Sequence, residues 1–303
     1  MNYLICIMGR FYELYFYLNI HVCTYYLTFI VMIGVLGLTA LDYFLPVKII
    51  LILFYILFNY CRLIYGLSIS INLDLDKQKF VRKRSVDSKD DISQINDYIV
   101  ENFTNMNKTN KICEYCKNKK QPRAHHCKKC QRCYLKYDHH DVFFNRCISF
   151  YNYKNYLQAL VSEVVAYIYF IVVISVFLLL KSSTNRKYLF YLIVVILCLV
   201  LNFIEVWYFI YQTVVHMKLV AKNETTTESI ALDTYIKGDC TYVSIFQEGP
   251  IKTFSSSKNR NILNPYNLGY SMNIKEVFGD NYMDFLSPEF TSKGNGQKFN
   301  LNC

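Results

Sequence analysis

Four runs of mostly apolar residues, roughly 22–41, 47–65, 157–180 and 188–211, constrain this 303-residue chain more than anything else in it. Each holds about 20 residues, enough at ~1.5 Å of rise per residue to cross ~30 Å of hydrocarbon. Inside a bilayer the backbone must satisfy its own polar groups, so such runs read as helices. Asp42 to Pro46 turns the chain between the first two, and Lys181 to Lys187 between the last two. Only 18% of the residues are charged, below the ~25% usual for soluble domains. With 28 Tyr against a single Trp, an interfacial belt would be built from Tyr. No basic segment precedes the first apolar residues, so no secretory leader is expected. Residues 1–21, which carry Arg10 and Glu13, are expected to be cytosolic or interfacial.

Basic residues set the orientation. Of 33 Lys and Arg, 18 fall between Asn72 and Tyr156 and nine follow His216, whereas the two short loops on the other side hold about four, counting Lys48 just past the first. Cytosolic loops are the basic ones, so the central segment, the tail and both termini are expected there. The organisation is then spans one and two in 22–71, a polar linker in 72–110 with a short helix near Ile92 to Phe103, a Cys-rich region in 111–156, spans three and four in 157–215, and a tail in 216–303. No internal repeat is evident. Two acids fall inside spans: Glu163 is expected to reach the interface, Glu205 lies near the other cytosolic end, and Asn202 is placed to bond between helices. The net charge of +10 suits anionic lipid. Arg82-Lys83-Arg84 and Lys117-x-Lys119-Lys120 raise nucleic-acid binding as a remote alternative, but flanking spans and the lack of a recognition-helix finger argue that no nucleic acid is bound.

Six of the twelve Cys and four of the six His crowd between Cys113 and Cys147. The order is Cys113-x2-Cys116-x9-His126-Cys127-x2-Cys130-x2-Cys133, then Asp138-His139-His140, then Cys147. Zinc takes four Cys or His ligands in a tetrahedron, and pairs two residues apart let one tight turn aim both sulfurs at one ion. Six Cys and two His make eight ligands, enough to close two structural sites. Spacing alone does not choose between His139 and His140. Thiols in a cytosolic loop stay reduced, so metal rather than disulfide is expected. Cys6, Cys61, Cys240 and Cys303 have no motif around them.

These residues resemble the Asp-His-His-Cys (DHHC) family of protein S-acyltransferases, or palmitoyltransferases. The resemblance runs through Gln121-Pro122-Arg123-Ala124-His125-His126-Cys127, Asp138-His139-His140, Asn145-Arg146-Cys147, Asn152 and Tyr156. Beyond the fourth span, Thr225-Thr226-Thr227-Glu228 is similar to the family's Thr-Thr-x-Glu. Asn264-Pro265-Tyr266-x2-Gly269-x3-Asn273 is similar to its C-terminal packing motif. The resemblance implies a four-helix membrane bundle above a mostly irregular zinc domain, in an endomembrane such as the ER or Golgi. It implies one zinc on Cys113, Cys116, His126 and Cys133, another on Cys127, Cys130, His140 and Cys147, and an exposed spare at His125. It also implies palmitoyl-CoA as acyl donor and proteins with cytosolic cysteines as acceptors.

One departure matters. The family's acyl-accepting Cys is here Asp141, the following Pro-Trp is Val142-Phe143, and a Gly two residues past the last zinc Cys is Ser149. A thiolate is a strong nucleophile whose thioester passes the acyl group on, whereas acyl-Asp would be an unstable anhydride. What remains is Asp138 orienting His139 as a general base. Two functions follow: direct transfer from acyl-CoA to a substrate thiol, or a transfer-dead protein that binds acyl-CoA, lipid or partners.

Overall fold

The apolar runs become long helices. In the computed structural model, which describes residues 28, 45–86, 112–117, 119–180, 186–238 and 263–302, α1 spans Leu45–Val86, α2 Tyr153–Leu180 and α3 Arg186–Lys222. Within them Ile49–Ser70, Tyr153–Val176 and Leu192–Lys222 are long and apolar enough to cross a membrane. The first expected span and the short helix near residues 92–103 lie outside the described residues, Thr28 apart.

Two boundaries differ from expectation. The linker expected from residue 72 begins as helix, because α1 continues to Val86. No Gly or Pro interrupts residues 67–86, and its Lys, Arg, Gln and Leu are good helix formers. Similarly, α3 runs past the expected start of the tail, through His216 to Lys222. It stops where Asn223 turns left-handed at φ +48°. There the amides of Asn223 and Glu224 each donate over 3.0 Å to the carbonyls of Val220 and Leu219, the paired bonds of a Schellman cap.

The chain divides into two compact units. One comprises Met1–Ile64 and Ala159–Val214. Its core joins Phe170, Val173 and Ile174 of α2 to Val195 and Cys198 of α3, with Leu51 and Tyr55 of α1 packed against them. Ile49, Leu53, Ile168, Val172, Ile193 and Phe203 are exposed on its outside, as lipid-facing residues are. The polar residues sit inside. Arg62 is hydrogen-bonded to Glu163 and stands 5.2 Å over the Tyr167 ring, while the Tyr167 hydroxyl donates to Glu205 at 2.5 Å. Glu163 is therefore buried on a counter-ion rather than reaching for the interface, because pairing offsets the cost of a charge in hydrocarbon. Among the described residues Asn202 makes no bond between helices; its amide donates to Cys198 of its own helix at 2.7 Å, a carbonyl one turn back.

The other unit comprises Tyr65–Gln158 and Val215–Cys303. Two antiparallel hairpins shape it: β1 (His125–Cys127) with β2 (Arg132–Tyr134), and β3 (His139–Asp141) with β4 (Arg146–Ile148). After α3 come α4 (Thr226–Ile236), α5 (Tyr270–Phe278) and a 3-10 turn at Tyr282–Phe285. Ala124, Leu135, Phe150 and Tyr151 form a core covered by Phe290 and Phe299. The last residues are held by side chains of α2: Lys154 donates to Glu289 O at 2.8 Å, Asn155 to Pro288 O at 2.7 Å, and Gln158 to Phe285 O at 2.8 Å. Asn264 and Asn273 donate to the carbonyls of Lys222 and Ala221 at 2.7 and 2.8 Å. They satisfy two of the acceptors that any helix leaves open at its C-terminus. Pro265 accepts from the Asn302 amide at 2.7 Å, and Gly269 enters α5 at φ +89°, open to glycine.

Candidate metal centres and the Asp-His pair

The two Cys-x2-Cys turns are built alike. In each, the second cysteine's amide points at the first one's sulfur, Cys116 N to Cys113 Sγ at 3.4 Å and Cys130 N to Cys127 Sγ at 3.5 Å. The turn is closed by Lys117 N to Cys113 O and Gln131 N to Cys127 O, both 2.8 Å. Lys117 and Gln131 take left-handed φ of 58° and 55°. Each hairpin then supplies two ligands from directly opposed positions, His126 across from Cys133 and His140 across from Cys147. The ligands of the second centre follow those of the first at one fixed offset: 113 to 127, 116 to 130, 126 to 140 and 133 to 147. An internal repeat is thus present where none was expected. Interleaving hid it, because the second unit starts before the first has ended.

Cys113, Cys116, His126 and Cys133 converge, as do Cys127, Cys130, His140 and Cys147, each set with its ligand atoms within 4.8 Å of one another. Ligands of one tetrahedral zinc, at about 2.3 Å for sulfur and about 2.0 Å for nitrogen, stand about 3.8 Å apart sulfur to sulfur and about 3.5 Å sulfur to nitrogen. In the first set His126 Nδ1 lies 3.6, 3.2 and 3.9 Å from the three sulfurs, and Cys133 Sγ 3.8 Å from Cys116 Sγ. In the second, His140 Nδ1 lies 3.7, 3.4 and 3.6 Å from its sulfurs, and Cys147 Sγ 3.4 Å from Cys130 Sγ. Both donor sets fit zinc. The other nitrogen of His140 faces Asn145 Oδ1 at 3.3 Å, the kind of outer contact that fixes a ligand's tautomer.

Consecutive residues of a strand point to opposite faces. With His140 turned into the second centre, His139 and Asp141 share the other face of β3. His139 Nδ1 lies 2.6 Å from Asp138 Oδ2, and its Nε2 lies 3.3 Å from Asp141 Oδ2. Asp141 is 2% exposed. Its other oxygen accepts from the Phe144 amide at 2.8 Å, and the Tyr156 hydroxyl donates to Oδ2 at 3.2 Å. His139 keeps 22% side-chain exposure. Burial opposes charge on His139, but the two flanking carboxylates outweigh it and bring its pKa up to about 9. Burial likewise works against ionised Asp138, yet its bonds to His139 and neighbouring groups hold it below the usual carboxylate range. His125 occupies in the first hairpin the place of His139 in the second. There Ala124 stands where Asp138 would, and the ring is half-buried, tilted 6.2 Å from Tyr137 rather than exposed.

The Thr225 to Glu228 run fixes Asp138 from the other side. Thr225 and Glu228 form the capping box of α4. The Thr226 amide and hydroxyl donate to the two Asp138 oxygens, each at 2.8 Å, and the Thr227 hydroxyl to its carbonyl at 2.8 Å. Asp138 thus sits at the positive end of a helix. Glu228 also takes two bonds of 2.7 Å from Arg123, which donates further to Asn223 Oδ1 and O at 3.1 and 2.9 Å and lies 4.1 Å over Tyr266. Burial disfavours both charges, but each holds the other ionised. Sequence reasoning missed three partners: Arg62 for Glu163, Arg123 for Glu228, and His216, whose ring stacks 5.2 Å from His139.

Apolar helices long enough for a bilayer, two sets of three sulfurs and one nitrogen that fit zinc, and an imidazole oriented by a buried carboxylate describe a membrane protein with two candidate metal centres. Residues 106–233 match the family model described as DHHC palmitoyltransferase. The chain is 30% identical over 174 residues to "Palmitoyltransferase ZDHHC15" of Rattus norvegicus, covering 54% of this chain and 42% of that protein. It is 28% identical to "Palmitoyltransferase ZDHHC20-B" of Danio rerio (54% and 44% covered) and 28% to "Palmitoyltransferase ZDHHC2" of Homo sapiens (54% and 39%). The matched stretch therefore spans less than half the length of these relatives.

Proposed function

We propose that this chain is a multi-pass membrane protein S-acyltransferase that passes an acyl group from palmitoyl-CoA directly to the cysteine of a protein substrate. With His139 in its neutral form, whose population grows as pH rises toward its pKa of about 9, the substrate thiol gives its proton to His139 and its sulfur attacks the thioester carbonyl. The bond from that carbon to the CoA sulfur breaks, and the departing thiolate takes a proton back from His139. One carbon–sulfur bond forms, one breaks, and no acyl group rests on Asp141. The observation that carries this is the His139 ring, held through Nδ1 by Asp138 at 2.6 Å and turned through Nε2 toward residue 141. That is the orientation a base or acid needs. Zinc on the eight ligands would supply folding stability, with no coordination position left for substrate. The basic central segment and tail support a cytosolic site and four spans in all, and the family resemblance supports an endomembrane.

The test is the full chain in detergent with labelled palmitoyl-CoA and an acceptor protein. Label is expected on the acceptor, none on residue 141, and transfer should fall about a hundredfold or more in His139→Ala. Hydroxylamine-sensitive label at residue 141 would overturn it. A second reading rests on the same contact: Asp141 and Tyr156 fill the space at His139 Nε2, which suits a protein that binds acyl-CoA, lipid or partners without transfer. Under that reading the acceptor stays unlabelled.

A further inference from the structure

His216 belongs to no motif in the sequence, yet it is buried beside the one imidazole with chemistry to do. It stands in the last turns of α3, two turns before the Schellman cap. Its ring stacks on His139 with centroids 5.2 Å apart and planes at 29°. Tyr156 closes edge-on against both rings, 5.5 Å from His139 and 5.0 Å from His216. The Tyr153 hydroxyl meets His216 Nδ1 at 3.2 Å. The same nitrogen is 3.8 Å from Asp138 Oδ2, an oxygen that already accepts from His139 at 2.6 Å and from the Thr226 hydroxyl at 2.8 Å.

Four side chains thus limit how His139 can turn. Asp138 holds Nδ1 at 2.6 Å and Asp141 faces Nε2 at a longer 3.3 Å, and two contacts in the ring plane leave the ring free to tilt about the line that joins them. A flat neighbour 5.2 Å away removes that freedom, since rotation out of the stacked plane would drive the ring into His216. Tyr153 in turn pins His216, so the brace is itself braced from α2. The close Asp138 to His139 contact also argues against an ion in this group of three: 2.6 Å is a hydrogen bond, shorter than the roughly 3.3 Å between nitrogen and oxygen ligands of one tetrahedral metal.

We propose that His216 is a positioning residue: stacked on His139 and tied to Tyr153, it holds the His139 ring with Nδ1 on Asp138 and Nε2 toward residue 141. Its consequence for rate rests on the acyl-transfer function proposed above, but its effect on the ring does not. The first experiment therefore needs no turnover. The intact, zinc-loaded chain is treated with diethyl pyrocarbonate, and carbethoxylation of His139 is followed by peptide mass spectrometry in the unaltered protein, His216→Ala and His216→Phe. Release of the ring should speed modification of His139 severalfold in His216→Ala, and His216→Phe, which keeps a flat ring, should restore slow modification. Unchanged His139 reactivity in His216→Ala overturns the proposal.

The second experiment uses Asp141→Cys, which restores a thiol at the family's position, and measures its acylation by labelled palmitoyl-CoA. Adding His216→Ala should lower the maximal rate about tenfold or more, as misplacement of a catalytic group does. The palmitoyl-CoA concentration for half-maximal rate should stay within about twofold, because His216 is buried at 2% exposure behind the His139 ring. Adding His216→Phe should recover most of the rate. A purely structural residue would lower zinc content with the rate and show no rescue by Phe, and that result overturns the proposal. If Asp141→Cys takes no label at all, acyl transfer is what fails, and His216 is decided by the carbethoxylation result.

Discussion

Glu228→Gln isolates the ion pair that joins the zinc-binding region to α4. Arg123 and Glu228 have side-chain exposures of 1% and 2%, and their closest contact is 2.7 Å. Gln retains the shape and can still serve in the capping box at α4, so the helix start survives while the charge is lost. A buried guanidinium left without its counter-ion costs about 3–5 kcal/mol. At about 1.4 kcal/mol per factor of ten, that raises the opened population by roughly a hundredfold to several thousandfold. The assay is zinc release to a chromophoric chelator, in conditions where opening of the zinc-binding region limits the rate, supported by the thermal midpoint. Replacing both partners, Arg123→Met with Glu228→Leu, should cost less than Glu228→Gln alone, because no charge is then stranded. Acid should mimic the substitution. Arg123 outweighs burial and depresses the Glu228 carboxyl, so its stabilisation is complete above the ordinary carboxylate value of about 4.3 and fades as pH falls through the lower folded value. Zinc release from Glu228→Gln as slow as from the unaltered chain would refute the reasoning, and so would additive costs in the double variant.

Three further substitutions probe separate contacts. Asn145→Ala removes the Oδ1 facing His140 Nε2, and competition with a chelator should find the second centre weakened about 10- to 100-fold, the first unchanged. Gly296→Ala places a methyl 2.8 Å from the Phe150 ring at φ +74°, which should lower stability by about 1–3 kcal/mol, read as an earlier thermal midpoint. Ser149 Oγ is buried with no hydrogen-bond partner among the described residues, so Ser149→Ala should raise stability by about 1 kcal/mol in the same measurement.

Local spacing made much of this chain legible. Two residues between cysteines can be read directly, because a Cys-x2-Cys turn is complete within itself, and about 20 apolar residues can be read as a span wherever they occur. The choice between His139 and His140 could not be read from spacing, since both lie within reach of the second centre. It is made by β3, whose alternation sends neighbouring side chains to opposite faces once Cys147 has paired with His140. Long-range partners were hidden for a different reason. Arg123 looks like one more basic residue in a basic loop, and only the folded chain brings Glu228 to it across 105 positions. Arg62 and Glu163 are 101 positions apart, and His216 carries no motif at all. The α1 and α3 boundaries slipped because helices continue until something stops them, and hydropathy reports where the lipid ends, not where the hydrogen bonds do.

Metal content with sulfur-to-nitrogen coordination, measured on full-length protein purified without added zinc, bears most directly on the architecture that orients His139. Elemental analysis should return two zincs per chain, and X-ray absorption should fit three sulfurs and one nitrogen on each, as the two converging ligand sets require. One zinc or none in protein that is nonetheless folded, or a four-sulfur environment, would contradict it.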